Sequence, residues 1–136
     1  MRNFAALALS ATLLLLPACK RHYSLETEAP ATAGQADITL ERDKTGNGTI
    51  ELAFEHLATP KSIDPSLSAY VVWGQVEGKD PFKIGIVEYK EKKRGGKLSA
   101  TYSEDAFTLT VTVEADPATP APVGVKVLEL PVVAPK

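Results

Sequence analysis

The chain is 136 residues long, 44% hydrophobic and 24% charged, with 15 Lys plus Arg against 17 Asp plus Glu. That length holds one domain of ordinary size, and a net charge of -2 excludes a role built on a general excess of basic residues, so nucleic acid is not an expected partner. The single cysteine excludes an internal disulfide, which leaves packing alone to hold the core.

Residues 1–18 read as an export signal: Arg2 gives the cationic start, residues 4–16 are dominated by apolar side chains, and Ala18 is small at the cut. An apolar stretch of about 13 residues is shorter than the roughly 20 that span a bilayer, so cleavage is expected and not insertion. The end of this stretch, Leu16-Pro17-Ala18-Cys19, resembles the lipobox of bacterial lipoproteins, with Cys19 as the first mature residue. The resemblance implies a diacylglyceryl group on the Cys19 sulfur and an acyl chain, such as palmitate, on the new amine. Two or three chains at about 0.8 kcal/mol per buried methylene make release from a membrane negligible. Lys20 after the cysteine implies sorting to an outer membrane, facing the periplasm.

Residues 19–35 are predicted to be the lipidated cysteine and a flexible tether, because they are small and polar without an apolar period. A sandwich domain is predicted over residues 36–133. Ile38 and Leu40 alternate with Asp37, Thr39 and Glu41, and a turn through Gly46-Asn47-Gly48 leads to Ile50, Leu52 and Phe54 in a second alternating run. Pro60 and Pro65 mark a crossing loop. Residues 69–76 are apolar on both faces at their centre, as in a strand covered on both sides. One strand is expected over residues 82–91, a short one over 98–102, and the cleanest alternation of the chain over 107–114. Pro117, Pro120 and Pro122 interrupt any ladder and make a stiff loop, after which residues 123–130 form the last strand. About seven strands with turn signals between them, and no helical period, argue for an all-β antiparallel sandwich.

The run Tyr70-Val71-Val72-Trp73, then Asp80-Pro81 with Gly85, the threonine- and valine-rich stretch 107–114 ending in Glu114, and then Pro120, Pro122 and Gly124 resemble the extracytoplasmic immunoglobulin-like domain of anti-sigma-K factors. The similarity covers roughly residues 68–130. It implies an immunoglobulin-like sandwich with a sensory or protein-binding role outside the membrane. The cytoplasmic sigma-binding domain of that family is missing and a lipobox stands where its transmembrane helix would be, so sigma-factor inhibition is not implied.

Candidate sites are few. Trp73, the only tryptophan, is expected in one core with Val72, Phe107, Leu109 and Val111. Asp43, Thr45 and Asn47 match the start of a calcium loop, but Phe54 stands where a bidentate Glu is required, and a turn explains the same residues. His22 and His56 have no companions at zinc-ligand spacing, and the carboxylate pairs fall in the tether, on an alternating strand or in a turn, so neither metal, cofactor nor catalysis is expected. The cations Lys90, Lys92, Lys93, Arg94 and Lys97 form a basic tip that first of all suits a soluble hairpin end blunting a sheet edge, and as a functional alternative suits an anionic surface such as lipid head groups or acidic polysaccharide. This tip and the loop 116–122 are expected at one end of the sandwich. The expected function is a non-catalytic, membrane-anchored binding or scaffold module of the cell envelope; the alternative is an accessory or sensory subunit of an envelope complex, with a protein partner.

Overall fold

A computed structural model describes residues 19–136; the expected export signal, residues 1–18 with the lipobox-like Leu16-Pro17-Ala18, lies outside the described residues. Among the described residues nine strands form two antiparallel sheets. They are β1 (Lys20–Glu26), β2 (Gln35–Arg42), β3 (Gly48–Glu55), β4 (Ala69–Gln75), β5 (Phe82–Ile86), β6 (Glu88–Lys90), β7 (Gly95–Tyr102), β8 (Ala106–Glu114) and β9 (Val125–Val133). One turn of helix, α1 (Pro60–Ile63), lies in the crossing between β3 and β4. No helix among the described residues is long and apolar enough to cross a membrane.

The first sheet has the order β1-β2-β3-β7-β6 and the second β5-β4-β8-β9. With β1 set aside, these are the A-B-E-D and C′-C-F-G arrangements of an immunoglobulin-type sandwich, so β1 is an added edge strand. Alternation fills the space between the sheets. Ala36, Ile38 and Leu40 of β2 and Ile50, Leu52 and Phe54 of β3 face Tyr70 and Val72 of β4, and Phe107, Leu109, Val111 and Val113 of β8. Among the inner residues, Ile38, Leu40, Ile50, Tyr70, Val72, Leu109, Val111 and Val113 have no exposed surface.

Two expectations about the chain's course are corrected. The segment 20–35 is not a tether: β1 pairs with β2 along its whole length, from Lys20 opposite Glu41 to Glu26 opposite Gln35. An edge strand buries only part of one face, so Tyr23 and Leu25, spaced by two, suffice to pack against the core among charged neighbours. The Val133 backbone N–H donates to the Tyr23 hydroxyl at 3.2 Å, and the Glu28 N–H donates to the Val127 carbonyl at 2.7 Å, tying this region to the last strand. The following loop is anchored by Ala31, which is fully buried, and by the buried Thr27 hydroxyl donating to the Ala31 carbonyl.

The run 82–91 is also not one strand. It breaks at Val87, whose N–H donates to the Tyr70 carbonyl at 2.9 Å and whose side chain is buried, and the chain passes from the second sheet (β5) to the first (β6). A strand that serves both sheets must bend between them, and apolar periodicity carries no mark of that bend.

Trp73 is buried, at 1% exposure, but it does not share the core of Val72, Phe107, Leu109 and Val111. Successive residues of a strand face opposite ways, so Val72 in the core places Trp73 on the outer face of the second sheet. There its indole Nε1–H donates to Thr112 Oγ1 at 2.9 Å, and Lys83 Nζ stands 5.3 Å above the ring. Lys83 Nζ also donates to the Pro117 carbonyl at 2.7 Å, so the stiff loop after β8 is drawn over this face. The apolar character of β4 on both sides is explained by this: one face meets the other sheet, the other lies under the proline loop.

Candidate functional site

The basic tip forms at the β6–β7 connection. Glu91–Lys93 make a single 3-10 turn, and Arg94 closes it in the left-handed conformation, φ 47°, with its N–H donating to the Glu91 carbonyl at 3.1 Å. The turn is held on the body of the protein from two sides. The Leu57 N–H donates to the Arg94 carbonyl at 2.8 Å, and the Tyr89 hydroxyl donates to the Leu57 carbonyl at 2.8 Å. Burial raises the Tyr89 hydroxyl above its ordinary pKa, partly opposed by the nearby Arg94 charge, so it stays a donor at neutral pH.

Beside the turn lies an open groove of about 510 Å³ lined by Phe54, Glu55, His56, Glu88, Lys90, Lys93 and Lys97, among others. Its floor is glycine for steric reasons. A Cβ on Gly95 would stand 2.7 Å from the Phe54 carbonyl oxygen, and one on Gly96 2.6 Å from a Val87 methyl. The groove therefore joins three of the five sequence-predicted cations, Lys90, Lys93 and Lys97, while Lys92 and Arg94 project from the turn at its rim. All five side chains are exposed. None takes part in the ion pairs among the described residues, which involve Lys20, His22, Arg42 and Lys126 as the cations. His56, in the left-handed region at φ 53°, and Glu55 and Glu88 were not predicted for this site; the register of β3 on β7 brings the first two to it, and that of β6 on β7 sets Glu88 opposite Lys97.

The loop 116–122 starts from the same end of the sandwich, since Glu114 pairs with Ala69 where β4 begins and β7 begins beside the end of β3. The structure nevertheless keeps it apart from the basic groove. It bends across the outer face of the second sheet toward Lys83, and Glu114 fixes its return: the carboxylate accepts the N–H of Val123 at 2.9 Å and that of Gly124 at 2.7 and 2.6 Å. A shallow recess beneath it is lined by Trp73, Thr110, Pro122, Lys126 and Glu129. Trp73 is too covered by its neighbours to offer a stacking face there.

The remaining sequence candidates have structural roles. Asp43 Oδ1 accepts the N–H of Thr45 at 2.9 Å, its hydroxyl at 2.6 Å and the N–H of Asn47 at 3.0 Å; the Thr45 hydroxyl is the main cause of a carboxyl pKa below the ordinary range. That is a side-chain-stabilised turn. His22 contacts Thr39 and Asp37 on the outer face of the first sheet, far from His56. Among the described residues no three His, Cys, Asp or Glu side chains converge on a common point. Cys19 is exposed and free, one residue ahead of β1.

Comparison with protein-family models, with curated proteins and with solved structures gives no match for this chain.

Proposed function

We propose that the protein is a lipid-anchored, non-catalytic binding module of the cell envelope, attached through Cys19 and recognising its partner at the basic groove of the β6–β7 connection. The observation that supports this best is the gathering of Lys90, Lys93 and Lys97 around one groove, with Lys92 and Arg94 at its rim and no ion pair neutralising any of them. Cations left solvated on a rigid turn have kept their charge available for a partner. The anchor rests on the Leu16-Pro17-Ala18-Cys19 pattern and on an exposed, free Cys19. An outer-membrane position facing the periplasm rests on Lys20 at the next residue.

Two measurements test the reading. The N-terminal peptide of the membrane-extracted protein is expected to carry acyl chains on Cys19, and a Cys19→Ala variant to leave the membrane fraction. Mature protein is expected to be retained on envelope fractions in a salt-sensitive way, and a variant with Lys92, Lys93 and Arg94 changed to Ala to be released. Retention unchanged in that variant would remove the groove from the function. The immunoglobulin-type strand order favours one second reading, an accessory or sensory subunit of an envelope complex, in keeping with the resemblance of residues 68–130 to the anti-sigma-K domain. Crosslinking that captures one stoichiometric protein on native membranes would select it.

A further inference from the structure

We infer that the basic groove faces away from the membrane that holds the protein and takes an anionic polysaccharide beyond it, not the head groups of the anchoring bilayer. The inference rests on the lipid-anchor reading of Cys19 and adds to it a direction and a ligand class.

The direction follows from β1. Because pairing with β2 begins at Lys20, a lipid on Cys19 would be joined to the sandwich with no spacer. The groove lies at the diagonally opposite corner of the same sheet. Along the strands, Lys20 is level with Glu41 and Thr49, whereas the β6–β7 turn lies beyond Phe54, which pairs with Gly96. Across the strands, β1 and β6 are the two edges of a five-stranded sheet. At about 3.4 Å per residue and 4.8 Å per strand, the separation is roughly 25 to 30 Å. That is several times the screening length of about 8 Å at physiological salt.

Tilting does not bring the groove to the lipid. Resting on the anchored end or on the β1 edge leaves it a sheet's length or width above the surface. The only posture that lowers it lays the outer face of the first sheet on the bilayer. Outside the groove, the cross-strand registers place Glu26, Asp37, Glu41 and Glu51 on that face against Lys20 and His22, and an anionic surface repels this excess of carboxylates.

The ligand class follows from what the corner contains. Five exposed cations on the turn and along the groove outnumber Glu55 and Glu88, the two carboxylates that line it, and with no buried polar group there to enclose a small anion they suit many weak contacts with one chain. A protein interface would call for an apolar anchor at its centre. The large hydrophobic side chains exposed among the described residues are Ile86, Val123, Val125 and Val133, and none lines the groove or the turn.

The test uses lipidated protein reconstituted in vesicles of phosphatidylcholine and phosphatidylglycerol, with alginate as the soluble probe. Cys19 is the only cysteine and carries the lipid, so Lys92→Cys and Ser103→Cys each present a unique thiol for a fluorophore. Energy transfer to a head-group-labelled lipid is expected to be much weaker from position 92 than from position 103. Alginate is expected to bind the anchored protein equally well on these anionic vesicles and on pure phosphatidylcholine, and about tenfold more weakly when Lys92, Lys93 and Arg94 are Ala. Transfer from position 92 equal to that from 103, or alginate binding suppressed by phosphatidylglycerol, would show the groove lying on the bilayer and overturn the proposal. Equal alginate binding by the triple variant, or none by the wild type, would overturn the ligand site while leaving the anchor intact. A Cys19→Ala protein that still floats with vesicles would overturn the anchor reading itself and the direction derived from it.

Discussion

The Glu114 side chain has no exposed surface, and both of its carboxylate oxygens receive the N–H of Gly124, ten residues further along the chain. The contact closes the proline loop between β8 and β9. A Cβ on Gly124 would stand 2.4 Å from Glu114 Oε2, so glycine is what allows the approach. Glu114→Ala strands the Val123 and Gly124 N–H groups and is expected to cost roughly 2 to 3 kcal/mol in urea unfolding. Glu114→Gln keeps one acceptor and should cost about half as much. Hydrogen exchange at Val123 and Gly124 should quicken in both variants; unchanged exchange would mean that the loop is held by other contacts.

Trp73→Ala is expected to lower stability by about 3 to 5 kcal/mol, although the residue lies outside the inter-sheet core. The placement makes a sharper distinction possible. Trp73→Phe keeps most of the packing but deletes the bond to Thr112, at a cost of about 1 kcal/mol plus whatever the smaller ring leaves unfilled. Pairing either change with Lys83→Ala should give a non-additive result, because Lys83 lies over the ring and holds Pro117. Additive losses would detach the loop from the tryptophan.

Tyr70 sets an alkaline limit. Its hydroxyl donates to the Ala58 carbonyl at 2.7 Å, and burial, assisted by Tyr89, holds its pKa far above the ordinary value. Tyr89 and Tyr102 are raised as well, chiefly by burial. Above about pH 10 the unfolded chain loses these protons and the folded one keeps them, so the unfolded state binds fewer protons and stability falls as pH rises. Below that pH the term is constant. Thermal unfolding followed from pH 8 to 12 is expected to show the decline beginning near 10, and Tyr70→Phe to make it shallower, after an overall loss of about 1 kcal/mol for the missing bond.

Leu25→Asp, or deletion of residues 20–26, separates an edge strand from a tether. In a tether both changes are silent. In β1, Leu25→Asp places a charge against the core and is expected to cost about 2 kcal/mol, and the deletion to lower the urea midpoint while exposing the edge of β2 to association. Size-exclusion chromatography of the deleted protein checks the second effect.

These residues also show what was legible in the chain. Where one strand face is wholly apolar and the other carries polar or small residues, as in residues 50–55 and 107–114, alternation located the strand and its inner face correctly. It failed where burial was partial or came from an unexpected side. Tyr23 and Leu25 are too few to stand out from charged neighbours, and the strand's stability depends on β2, many residues away. Trp73 was rightly read as buried, but whether β4 is covered by a sheet or by a loop depends on where the proline segment folds back. The basic tip was visible as a run of charge; the groove beside it was not, since Glu55 and His56 join it only through the β3–β7 register.

The contacts of Tyr23 with Val133 and of Glu28 with Val127 have a consequence for the order of events during synthesis. One open side of the sandwich is sealed by the first described strand meeting the last, and β8 gains its second neighbour only from β9. A chain emerging from its N-terminus can form the β1-β2-β3 meander early, yet it cannot complete either seal until residue 133 is free. Native structure therefore waits for β9, the last of the described strands to be made. A domain wired in this way resists unfolding only once its last strand is in place.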